Sequence, residues 1–137
     1  MSRILVAVSS PLASRRLGEA VADLAHRLSA EVLVVHVSRP TGQSDNTSAG
    51  EKAEESIRTL ADHIRVRDVA VQTLLLFADD VPRAILNTAR DGNCTLIALG
   101  LSGRGMLSRL IAGNVPVELL RSTDLPVIMF PADAPKV

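Results

Sequence analysis

Residues 100–114, GLSGRGMLSRLIAGN, place Gly100, Gly103, Gly105 and Gly113 close together, directly after the apolar run TLIALG. Glycine lets a backbone approach a ligand closely and adopt positive φ. Where such a segment leads into a helix, the free N–H groups of the first turn and the positive end of the helix dipole favour an anion, phosphate above all. The following stretch, NVPVELLRS, predicts a helix opening at about Asn114, with Val117, Leu120 and Leu119 on its apolar side. Arg104 and Arg109 add positive charge. Between Gly100 and Arg121 three arginines face one acid, Glu118, inside a chain whose 15 Lys and Arg balance 15 Asp and Glu. The chemistry implied is retention of an anionic ligand; the alternative is that the glycines only turn the chain.

Other chemistries lack their residues. Gly103 and Gly105 form a G-x-G without the rest of the dinucleotide fingerprint, and no GxxxxGK[ST] occurs, which argues against a Rossmann dehydrogenase and a P-loop ATPase. Ser9 and Ser10 do not sit in G-x-S-x-G, so no nucleophilic enzyme is expected and the chain reads as a binder. His36 lies between Val35 and Val37 in a strand-like run and reads as a packed or hydrogen-bonded histidine; His26 and His63 fall on different helices, so no metal site is expected. Cys94 is the single cysteine and has no basic residue within three positions, which reads as an inert thiol in a reducing compartment. Arg15 and Arg16 read as solvated.

The elements that must hold the glycine segment are legible from periodicity. At 137 residues and 47% apolar content the chain predicts one domain, 1–137, with a full core. Its neutral charge offers no field for nucleic acid or an anionic membrane, and with Phe77 and Phe130 as the only aromatics it has no base-stacking platform. No apolar run approaches the roughly 20 residues of a membrane span, and no signal-peptide core is visible, so a cytoplasmic protein is expected. RILVAV (3–8), EVLVVHV (31–37), VAVQTLLLF (69–77), TLIALG (95–100) and PVIMF (126–130) are continuous aliphatic runs, as in strands of a parallel sheet buried on both faces. Leu17, Ala20, Val21, Leu24 and Leu28 form one helical stripe; Ala53, Ile57, Leu60, Ala61 and Ile64 form another. Ser48 with Glu51 has capping-box spacing, Asp79 or Asp80 can cap a third helix at Val81 and Pro82, and Asp91-Gly92-Asn93 stops it. The alternation is β-α four times plus a closing strand: an open α/β fold with right-handed crossovers, binding ligands where the strand order reverses. Residues 38–50, which lack a large apolar side chain, read as a flexible connection, with a lid over the strand ends as the alternative.

Gly100, Gly103 and Gly113 have the G-x2-G-x9-G spacing of a nucleotide loop, and with RILVAV, LVVHV, Asp80, the AIL of the third helix and LPVIMF the chain resembles the universal stress protein family over nearly its whole length. The resemblance implies an open five-stranded parallel sheet of order 3-2-1-4-5 with helices on both faces, the adenine-nucleotide alpha-hydrolase-like fold. It also implies an adenine nucleotide, ATP or a related one with Mg2+ as its companion, and a homodimer paired through the last strand at Val127, Ile128 and Met129. On this reading backbone near Val8 and Val37 holds the base, Ser9 lies near the sugar, and Gly100, Gly103, Gly113 and Asn114 hold the phosphates beside Arg104 and Arg109. A stress-response regulatory protein acting through an unidentified protein partner is the implied role; the alternative is a dimeric interaction module whose site holds nothing. Three positions depart from the family pattern. Ser9 stands where an acidic residue is common, Asn114 where Ser or Thr follows the last glycine, and Pro116 where a small hydroxyl residue is usual. Replacing a charge-assisted hydrogen bond, about 1.5–3 kcal/mol, by a neutral one, about 0.5–1.5 kcal/mol, weakens binding by about tenfold.

Overall fold

The structure, a computed structural model, describes residues 2–8, 15–38, 46–100 and 115–130. In chain order the elements are β1 (Arg3–Val8), α1 (Arg15–Leu28), β2 (Glu31–Ser38), α2 (Asn46–Arg65), β3 (Val71–Phe77), α3 (Val81–Asp91), β4 (Leu96–Gly100), α4 (Val115–Ser122) and β5 (Val127–Phe130). All strand pairs are parallel and the sheet order is β3-β2-β1-β4-β5, as the resemblance implied. The aliphatic runs are continuous because the central strands are buried on both faces. On one face Ile4, Val6, Val8, Val32, Val34, Leu96 and Ala98 pack with Val21, Ala22 and Ala25 of α1 and Ile57, Leu60 and Ile64 of α2. On the other, Leu5, Ala7, Leu33, Val35, Ile97 and Leu99 pack with Ile85 and Ala89 of α3 and Leu119 of α4.

Several boundaries and faces differ from the sequence reading. In α1, Leu28 is exposed while Ala22 and Ala25 are buried, because α1 packs against α2 as well as the sheet. A Cβ at Gly18 would lie 2.6 Å from the Cβ of His63, so only glycine permits this approach of the two helices. The connection read as 38–50 is shorter at both ends: Ser38 belongs to β2 and α2 begins at Asn46, which places Ser48 inside the helix rather than at its cap. Lack of apolar residues argues against core, not against helix, and a first turn needs none when later turns carry the stripe. β3 starts at Val71 and is an edge strand, so Gln72, Thr73 and Leu74 are exposed and Phe77 is 61% exposed, although the run reads as fully buried.

Helix ends follow the expected chemistry more closely. The Asp80 carboxylate accepts from the Arg83 N–H at 3.1 Å, capping α3, with Pro82 in the first turn where its missing N–H costs nothing. The turns from α1, α2 and α3 into the next strand each pass through one residue at positive φ: Ser29 (51°), Asp68 (62°) and Asn93 (55°). These short polar side chains tolerate the left-handed region better than branched ones. No helix among the described residues is long and apolar enough to cross a membrane.

In α4 the apolar side is anchored by Leu119, which is fully buried, whereas Leu120 is 56% exposed and Val117 only partly buried. With Pro116 at its second position, α4 places Leu119 towards Ile97 and Ile85 and turns Leu120 outward. Leu119→Ala should therefore cost about 2–5 kcal/mol in urea denaturation, against a change within about 0.5 kcal/mol for Leu120→Ala; equal losses would contradict this orientation.

Candidate functional site

The chain leaves β1 on one side to build β2 and β3, then crosses to the other side of β1 to build β4 and β5. The strand order thus reverses between β1 and β4, and sheets of this kind hold ligands outside the carboxyl ends of the strands at such a point. Val8 and Gly100, the last residues of β1 and β4, are register partners. Val8 is buried. On the other side of β1 the pairing with β2 runs only to Ala7 and Val35. There the His36 Nδ1–H donates to the Val8 carbonyl at 2.8 Å, and Val37, partly buried, follows on β2.

Of the residues expected at a site, Val8 and Gly100 are thus side by side and Val37 lies one strand away. Ser9, Gly103, Arg104, Arg109, Gly113 and Asn114 lie outside the described residues. α4 begins at Val115, immediately after Asn114, so a helix amino terminus does follow the last glycine of the spacing. Glu118 falls in its first turn and Arg121 in its last; at 1.5 Å per residue Arg121 is about 9 Å along the axis from Val115 and adds nothing to the amino end. His36 is a hydrogen-bonded histidine, as its setting among valines suggested, but its partner, the last carbonyl of β1, is visible only in the fold. The signal in the sequence was a polar ring interrupting an otherwise aliphatic strand.

The amino end of the sheet carries different groups. The Arg3 guanidinium donates to the Gly92 carbonyl at 2.9 Å and to the Gln72 side-chain oxygen. Cys94 is buried, and burial pushes its thiol up from the ordinary range, with Arg3 offsetting this only in part. Arg3 is the basic neighbour that sequence proximity missed, since it reaches Cys94 across the sheet. His26 meets the Arg67 carbonyl through Nε2, and His63 packs against Gly18; both tie α1 to α2 and its following turn. Among the described residues no three His, Cys, Asp or Glu side chains gather as a metal site.

The family model for the universal stress protein family matches residues 1–131. A protein of this family from Burkholderia pseudomallei is similar at 27% identity and a TM-score of 0.69, covering 96% of each chain. The universal stress protein from Archaeoglobus fulgidus in complex with dAMP superposes with a TM-score of 0.72 at 21% identity, covering 94% of this chain and 97% of that one. The sensor protein KdpD of Mycobacterium tuberculosis is 30% identical over 135 residues, which cover 95% of this chain; the match spans only 14% of the sensor's length.

A buried, protonated thiol reacts slowly. At pH 8 an aromatic disulfide reagent should modify Cys94 at least about tenfold faster in urea than in the native protein; equal rates would show that the thiol is accessible in the fold.

Proposed function

Since the chain belongs to the universal stress protein family, we propose that it binds an adenine nucleotide, ATP or a related one, at the carboxyl ends of β1 and β4, as a regulatory binding protein without catalysis. The observation that carries this reading is the pairing of Val8 with Gly100 at the point where the strand order reverses, with Gly100 also the first glycine of the G-x2-G-x9-G spacing. Backbone of Val8 and Val37 faces the base, Ser9 the sugar, and Gly103, Gly113 and Asn114 the phosphates, with Arg104 and Arg109 supplying charge and Mg2+ accompanying ATP. The dAMP complex of the Archaeoglobus protein supports an adenine ligand in this fold. Similarity to one segment of a sensor protein supports a module that acts through a protein partner.

Calorimetry tests the site. Wild type should bind ATP with micromolar or weaker affinity, since about −8 kcal/mol corresponds to micromolar binding and Ser9 and Pro116 each replace a contact. Ser9→Asp with Pro116→Ser should tighten binding by about tenfold or more, and Gly113→Val should abolish it. Absence of heat at millimolar ATP in folded wild type and in the folded double variant would overturn the reading.

We further propose a homodimer through the edge strand β5. Val127 and Ile128 pack inward on opposite faces, while Met129 is 45% exposed on an edge that an uncovered sheet would leave open to association. Met129→Lys, which spares the core contacts of Ile128, should shift sedimentation at micromolar concentration from dimer towards monomer; a monomeric wild type would refute this assembly.

A further inference from the structure

We propose that His36 is a positioning residue that holds the base end of the crevice open by taking the Val8 carbonyl out of the β1–β2 ladder. Alternate residues of a parallel strand address alternate neighbours. Glu31 N–H donates to the Ser2 carbonyl at 3.0 Å, whereas Thr95 N–H donates to the Arg3 carbonyl at 2.8 Å. Even-numbered carbonyls of β1 therefore face β2 and odd-numbered ones face β4. By this alternation the Val8 carbonyl faces β2, and its ladder donor would be the N–H of Val37. The register instead stops at Ala7 and Val35, and the carbonyl accepts from His36 Nδ1–H at 2.8 Å.

The consequence falls on Val37. On β2 the N–H of Val32 donates to the Ala70 carbonyl and the carbonyl of Ser38 accepts from Ala78, both bonds towards β3, so odd-numbered residues present their N–H and C=O to β1. Val37 presents both groups to β1 just beyond the last paired position. A donor and an acceptor from one residue complement the N1 acceptor and N6 amino group of adenine, whereas guanine reverses this polarity by carrying O6 and an N1–H. If the imidazole did not cap Val8, the ladder could close by one rung and consume the Val37 N–H. The effect on ligand rests on the adenine-nucleotide reading; the ladder geometry does not.

The two are separated by experiments on the full chain. In wild type at pH 8, long-range 1H–15N spectra should show the His36 ring as the Nδ1–H tautomer; an Nε2–H tautomer would place a lone pair against the Val8 carbonyl and overturn the proposal, whatever the variants do. In nucleotide-free protein the Val37 amide should exchange at least about tenfold more slowly in His36→Ala than in wild type, as the new rung forms. His36→Asn, whose side-chain amide offers a donor at the same number of bonds from the backbone, should keep the wild-type exchange rate. Unchanged Val37 exchange in folded His36→Ala would overturn the proposal. AMP affinity should fall about tenfold in His36→Ala and stay within about threefold of wild type in His36→Asn. A wild type that binds no AMP at millimolar concentration removes the nucleotide reading, while the tautomer and exchange results still decide the role of His36.

Discussion

A strand buried on both faces has no water to satisfy its backbone, so its N–H and C=O groups must find partners along its two edges. β1 is this strand. Ile4, Leu5 and Val6 are fully buried, and β1 pairs with β2 on one edge and β4 on the other. The remaining elements serve that requirement: two helices cover each face, and each crossover returns the chain to a free edge in the same direction. The β1–β2 ladder ends at Ala7 and Val35 and the β1–β4 ladder at Val8 and Gly100, so both run out at the carboxyl end of β1. The nucleotide site proposed above lies where these two ladders run out.

The same requirement explains the character of the site. What the sheet offers at this end is backbone: the ends of β1 and β4, the Val37 peptide groups and the amino end of α4. Backbone groups of this kind recognise shape and hydrogen-bond polarity. Among the described residues His36 is a titratable side chain that touches the end of β1, and its Nδ1–H is committed to the Val8 carbonyl. Cys94, the other group with chemical potential, sits at the opposite end of the sheet, where burial keeps it protonated.

Packing of the helices is governed by close approach as much as by apolar stripes. α1 meets α2 where Gly18 lets the His63 Cβ come near, with Ala22 and Ala25 buried on the same side, and this rotates α1 so that Leu28 faces solvent. Small residues shorten the distance between helix axes and dispersion contacts then hold the pair. The exposed ion pairs on these helices, Arg27 with Asp23 and Arg58 with Glu54, add little, since solvent screens them.

The sequence by itself determined the succession of strands and helices, because continuous aliphatic runs and stripes at helical spacing are local consequences of burial. It also narrowed the cap of α3 to Asp79 or Asp80 and its stop to Asp91-Gly92-Asn93, since both depend on the chemistry of neighbouring residues, and the structure uses Asp80 and Gly92. The glycine spacing and the matching strands carried the resemblance to the family, and from it the sheet order. What only the tertiary structure decided depends on partners far apart in the chain. That β3 is exposed at Leu74 and Phe77 follows from its place at the sheet edge, and the choice of Leu119 over Leu120 follows from what lies beneath α4. The Arg3 charge beside Cys94 and the bond from His36 to Val8 each join residues far apart in the chain. No periodicity encodes those meetings, because they arise from the order in which strands are laid beside β1.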